Sequence, residues 1–340
     1  MRLARAYSST CLSVRRRHVL LLGTGFALAW PLTAQSQQSE RVYRIGYLAL
    51  IPGEDQNLMR AFSGRLRELG LIEGKNLTLT YRSAEGHPDR LSALAADLLL
   101  ARPDVLVAGL GTLTAKAVKS ATNSVPIVFA SVGDPIGSGL IDSLSKPGGN
   151  ITGLSTQLSD ISGKRLQTIL ELIPAVRTVG VLMNPQTPAT ASSLRELRGA
   201  AAHLNLNLQV FEVTAPDQIP NSIRKASQNA VGALIVLEDP VIFGATDQLA
   251  AVAIQSKIPT MFGDRTFIKA GGLMAYGPDR RSTFRRAAEY VDRILKGATP
   301  ASLAVEQPTS FELVINLRTA ASLGLSIPES LLIQANEVIE

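Results

Sequence analysis

Strand-like and helix-like segments alternate along almost the whole chain, and this rhythm restricts the fold more than any other feature. Residues 42–50 (VYRIGYLAL) are β-rich and mostly apolar, as a strand covered on both faces must be. Leu58, Phe62, Leu66 and Leu69 then recur at helical spacing until Gly70 ends the run. Residues 76–82 (NLTLTYR) alternate like a strand, and residues 88–101 place Leu91, Leu94, Leu98 and Leu99 on one helical face. Residues 104–108, 112–122 and 127–131 read as strand, helix and strand, followed by a short helix near 136–144 and a strand at 151–155. The pattern continues with helices at 162–173, 189–204, 220–229 and 245–256 between strands at 179–183, 208–213, 233–237 and 260–262. Repeated units of this kind build parallel sheets with helices on both faces. A single sheet would need more than about ten strands. The predicted fold is therefore α/β, with two doubly wound parallel-sheet lobes.

Three interruptions divide the run: Pro147-Gly148-Gly149-Asn150, Gly271-Gly272 ahead of LMAY, and residues 297–308. Turn clusters of this sort mark loops, and here they predict three segments crossing between the lobes.

The N-terminus speaks to location. Arg15, Arg16 and Arg17 precede an apolar run at 19–30, then Pro31 and a small-residue stretch through Ala34 to Ser36. A basic head, a short apolar core and a small-residue step predict an export signal over residues 1–36, removed from the mature protein. Arg16-Arg17 also resembles the twin-arginine pattern, with Val19 where Phe is usual. The apolar run is about 12 residues, short of the roughly 20 that span a bilayer. The expected product is soluble and periplasmic.

Removing residues 1–36 takes five arginines and no acid, so Lys+Arg falls from 34 to 29 against 28 acids and the formal charge from +6 to +1. A near-neutral body argues against a nucleic-acid partner, which clustered positive charge would attract. The only cysteine, Cys11, and the only tryptophan, Trp30, leave with the signal. The mature chain then has no disulfide, thiol nucleophile or Cys-bound metal.

In open parallel sheets, ligands bind where strand ends lead into helix N-termini. The loops so placed are 52–56, 109–114, 132–135, 184–185, 238–240, 263–265 and 276–277. Gly111, Thr112 and Thr114 suit a carboxylate or phosphate oxygen at a helix start, although a Thr there can equally cap its own helix. In Gly133-Asp134-Pro135, Asp134 can cap a following helix or accept from a ligand ammonium. Glu238, Asp239 and Asp264 are further acids for a cation, and their order cannot be read from sequence. Asn184 is a strand-end polar group. Tyr276 and Phe262 can flank a planar ligand or simply pack. Catalytic residues are not expected. His87 and His203 read as surface residues, and no Gly-x-Ser-x-Gly elbow, His-Glu-x-x-His or P-loop occurs. Neither a metal nor a cofactor is expected.

Three long stretches carry a resemblance: IVFASVGDPIGSGLIDSLSKPGGNITGLS at 127–155, GGLMAYGPD at 271–279 and EQPTSFELVINLRTAASLGL at 306–325. In order and together they resemble the ABC transporter substrate-binding family that includes tryptophan- and tyrosine-type binding proteins. The resemblance implies the type I periplasmic-binding-protein fold, with lobes at 41–151 plus 275–300 and 152–274 plus 301–340. It implies a ligand cleft in which Gly111, Thr112 and Thr114 meet the ligand carboxylate and Gly133-Asp134-Pro135 forms a matching motif. Tyr276, in its Tyr-Gly-Pro-Asp match, lines the cleft or packs the hinge. The implied function is a monomeric, exported solute receptor that delivers an amino-acid-like small molecule to an inner-membrane ABC permease. An exported α/β enzyme and a ligand-sensing subunit of a signalling receptor are the alternatives.

Overall fold

The computed structural model describes residues 41–51, 56–156 and 161–340. The predicted export signal lies outside the described residues. The first part of the chain runs β1 (Tyr43–Ala49), α1 (Gln56–Glu68), β2 (Leu77–Ser83), α2 (Leu91–Leu100), β3 (Val105–Leu110), α3 (Thr112–Ala121), β4 (Ile127–Val132) and β5 (Ile151–Ser155). These strands form one parallel sheet in the order β2-β1-β3-β4-β5. β3 (VLVAGL) shows why it is central. Val105 and Val107 enter the core under α1, while Leu106 and Ala108 enter the core under α2 and α3.

The second part follows as α4 (Ser162–Leu172), β6 (Thr178–Met183), α5 (Pro188–His203), β7 (Asn207–Glu212), α6 (Ile219–Gln228), β8 (Ala233–Val236), α7 (Pro240–Phe243), α8 (Thr246–Gln255), β9 (Thr260–Phe262), α9 (Arg265–Lys269) and β10 (Met274–Pro278). After it come α10 (Arg280–Leu295), β11 (Phe311–Asn316), α11 (Leu317–Ser322), α12 (Glu329–Gln334) and β12 (Glu337–Ile339). The second sheet is ordered β12-β11-β10-β9-β8-β6-β7. From β7 to β10 it repeats the strand order of the first sheet. β11 then pairs antiparallel to β10 and parallel to β12, so this sheet ends in two reversed strands. Leu166, Ile169 and Leu197 cover one face with Val181 and Ile235, and Ile223, Leu249 and Phe267 cover the other with Leu182 and Val236. Both lobes are thus doubly wound, as predicted.

The crossings fall later than the turn clusters suggest. β5 pairs with β4, so the first lobe extends to Ser155 and the cluster at 147–150 only leads into a strand. β10 pairs with β9 and β11, which puts 274–278 in the second sheet. The return follows Pro278, and α10 then packs Phe284, Ala287 and Val291 against Phe62 and Leu66 of the first lobe. The chain stays there through Leu303 and Val305, and the last crossing lies between Glu306 and Phe311. Gly and Pro mark where a strand is entered, whereas hydrogen-bond pairing decides which sheet owns it.

The predicted helix at 136–144 is absent; residues 135–139 are turns. Asp134 accepts from the Gly137 N–H at 2.7 Å, and Gly139 adopts φ +71°. Two glycines in four residues cost a helix about 1 kcal/mol each relative to alanine. The Asp-Pro turn wins.

Candidate functional site

The carboxyl ends of both sheets face one another, and two adjoining cavities lie between them. The smaller, about 30 Å³, is bordered by Gly111, Thr112, Ser131, Gly133 and Thr156 of the first lobe, and by Thr187, Glu238 and Asp239 of the second. The larger, about 770 Å³, opens beside it among Ile51, Leu58, Val241, Asp264, Arg265 and Glu312. Leu110, Pro240, Phe243 and Arg280 line both and form the partition.

The first-lobe wall is the start of α3. β3 ends at Leu110 and the chain turns sharply at Gly111, whose φ is +92°. A Cβ there would also stand 3.1 Å from Pro240 Cγ of the other lobe, so both backbone shape and lobe contact favour glycine. Gly111 occupies the cap position and offers no side chain to the first helical N–H groups. Thr112 is 1 % exposed, and its hydroxyl has no hydrogen-bond partner. Thr114 is different: its hydroxyl donates to Leu110 O at 3.0 Å.

The second-lobe wall is acidic. Glu238 is held by Arg165 of α4 through two bonds, Nη1 to Oε2 at 3.1 Å and Nη2 to Oε1 at 2.7 Å, both groups buried. The Arg165 Nε donates to Tyr276 O at 2.9 Å. Asp239 caps α7, accepting from the Val241 N–H at 2.8 Å, and also accepts from the Thr187 hydroxyl. Burial pushes the Asp239 carboxyl above its ordinary range, against hydrogen bonds from Thr187, Asn184, Val241 and Ile242 that favour the charged form. Asp264 caps α9 through the Thr266 N–H at 2.8 Å, and its other oxygen lies 2.7 Å from Arg280 Nε. That contact is ionic without hydrogen-bond alignment. The Arg280 guanidinium also stacks 4.7 Å from the Phe243 ring centre.

The structure therefore brings Gly111, Thr112, Gly133 and Glu238 around one cavity and sets Asp264 in the adjoining one. Thr114, Asp134, Pro135, Asn184 and Tyr276 line neither. Asn184 Oδ1 accepts from the Gln186 N–H at 3.0 Å, and the Tyr276 ring stacks on Phe311 at 5.9 Å. Residues 52–55 of the first candidate loop lie outside the described residues. Sequence reasoning missed Ser131, Thr156, Thr187, Phe243 and Arg280. Arg280 had a readable signal: a cation in the first turn of a helix opposes the helix dipole and needs another reason to be there.

Comparison with known proteins agrees with this architecture. The chain is 25% identical over 290 residues to a tyrosine-binding protein of Clostridioides difficile (strain R20291), spanning 84% of this chain and 82% of that relative. A conserved domain protein of Vibrio cholerae superposes with a TM-score of 0.82 at 29% identity, covering 88% of this chain and 100% of the other. An ABC domain from Streptococcus pneumonia, solved in complex with L-Trp, gives a TM-score of 0.82 at 27% identity, with the same coverage. The family profile described as ABC transporter substrate binding protein matches residues 52–339, and the chain belongs to that family.

Proposed function

We propose that this protein is an exported, monomeric solute receptor that closes two lobes around an amino-acid-like molecule and passes it to an ABC permease of the inner membrane. The observation that carries the reading is the Thr112 hydroxyl. It is buried, unpartnered and placed where the two lobes meet. A buried polar group without a partner costs about 1–3 kcal/mol, and a ligand acceptor would remove that cost. The adjacent start of α3 adds N–H groups and a positive dipole end, so a carboxylate fits there.

Binding in a shared cleft couples to closure, because only the closed form lets both lobes touch the ligand. Closure also alters the outer surface, which lets a permease distinguish loaded from empty receptor. Export is supported by the signal-like residues 1–36, and among the described residues no helix is long and apolar enough to cross a membrane. Neither His87 nor His203 lines a cavity, which supports binding without bond making or breaking. The amino-acid preference is supported by the tyrosine-binding relative and the L-Trp complex.

A thermal-shift screen of the mature protein tests this reading, with the twenty amino acids set against sugars, nucleosides and simple carboxylates. A ligand at 100 times its dissociation constant should add about 2.7 kcal/mol of stability. Stabilisation by L-tyrosine, L-tryptophan or another amino acid is the expected result. Stabilisation by another class alone would overturn the ligand assignment, and conversion of a bound compound would overturn the receptor reading.

A further inference from the structure

Charges around the smaller cavity do not balance. Glu238 is neutralised by Arg165 in a two-bond pair, and Asp264 by Arg280. Asp239 remains. It is 2 % exposed and borders the cavity, and among the described residues no Lys, Arg or His nitrogen makes an ion pair with it. The hydrogen bonds from Val241 and Thr187 orient its carboxylate but bring no positive charge. A buried carboxylate without a cation is strongly disfavoured, so the empty site lacks a positive group that something else must supply.

The opposite wall defines what else that molecule carries. The unpartnered Thr112 hydroxyl and the start of α3 border the same cavity and favour an anionic or acceptor group. One small volume thus sets an unpaired acid on the second lobe against a donor-rich helix end on the first.

We propose that Asp239 receives the cationic nitrogen of the ligand and makes this site selective for compounds carrying a protonated amine beside an anionic or acceptor group. The proposal rests on the cleft being the ligand site. It ranks three acids that strand-end position alone leaves equal: Glu238 and Asp264 already hold arginines, and Asp239 does not. Asp239 is also the acid best fitted to report closure, since an amine bound to it lies against Thr112 only when the lobes are together.

The test starts without assuming an amino acid. Purified mature protein is incubated with a whole-cell metabolite extract, washed, and its retained compounds are identified by mass spectrometry. Each is then titrated into wild type and Asp239→Asn, together with its N-acetyl and deaminated analogues on wild type. Asn keeps the size of the side chain and its acceptor for the Val241 N–H. Retained compounds should carry a protonated nitrogen and bind about 10–100-fold more weakly to Asp239→Asn. The blocked and deaminated analogues should lose a similar factor on wild type, a readout that stands even where the variant fails to fold. Retention of a compound without a cationic nitrogen, or an amine that binds variant and wild type alike, overturns the proposal. A retained amine that is not an amino acid would sustain Asp239 while removing the amino-acid preference. A retained neutral sugar would remove both and leave a solute receptor. Retention of nothing would count against the cleft reading and the proposal together.

Discussion

Arg165 is fully buried, and its guanidinium is saturated by Glu238 and Tyr276 O. Removing one partner leaves a charge without water or counter-ion, so Arg165→Met should cost about 3–5 kcal/mol, whereas the Arg165→Met/Glu238→Leu pair should recover most of that loss. Urea unfolding of the three variants closes the cycle; equal loss in single and double variants would contradict it. Gly263 belongs to the same unit, because a Cβ there would fall 1.1 Å from Glu238 Oε1 and 1.9 Å from Arg165 Nη2. Asp239 acts in the opposite direction. Its folded pKa is raised above the ordinary 3.8, so the folded state binds more protons than the unfolded state just above that pH. Its contribution therefore lowers the stability of the empty protein as pH rises from below 3.8 through the raised value. Asp239→Asn should flatten that part of the pH–stability curve, read by thermal melts from pH 3 to 7, because the neighbouring pairs Glu238–Arg165 and Asp264–Arg280 are retained. Sequence placed these acids at strand ends through the strand–helix rhythm alone. It could not rank them, since the arginines that occupy two of them come from positions 165 and 280, far along the chain.

At the scale of elements, the alternating segments were legible because their apolar spacing follows directly from parallel sheets covered on both faces. The final third was less so. β11 and β12 run against the other strands, and no crossover helix between β10 and β11 announces them in the usual way, since α10 leaves for the first lobe. That departure has an energetic consequence. Phe284 of α10 is fully buried in the core that also holds Phe62, Leu66 and Val128, so a helix from late in the chain completes the first sheet's cover. Phe284→Ala should cost about 3–5 kcal/mol. Hydrogen exchange should show the loss spreading over β1, β3 and β4 before it reaches β6 and β8. Loss confined to the second sheet would place α10 energetically with the wrong lobe. The hinge is braced from the same helix, where Arg286 donates to Glu306 at 2.7 and 2.6 Å across the start of the last crossing.

For the molecule as a whole, the balance between open and closed forms decides whether a receptor can hold and release its cargo. Arg280 stands where that balance is set. It begins the helix that returns to the first lobe, yet its guanidinium reaches Asp264 and Phe243 of the second. Part of the closing energy is thus built into the protein before any ligand arrives. A desolvated cation–π contact is worth about 2 kcal/mol or less, small enough for a ligand to dominate and large enough to bias the empty state. Removing it should populate the open form and reduce apparent affinity by the fraction of closed protein lost, about 5–30-fold for a bias of 1–2 kcal/mol. Arg280→Ala should therefore give a larger radius of gyration by small-angle X-ray scattering without ligand, and a value equal to wild type at saturating ligand. Saturation separates the two roles of the residue. An arginine that only latched the lobes would be replaced by the ligand's own contacts across the cleft, whereas one that carried the ligand itself would leave the variant open however much ligand was added. Equal radii for empty wild type and empty variant would show that the lobes are held together by something other than this guanidinium, and the contact between Gly111 and Pro240 would be the next place to look.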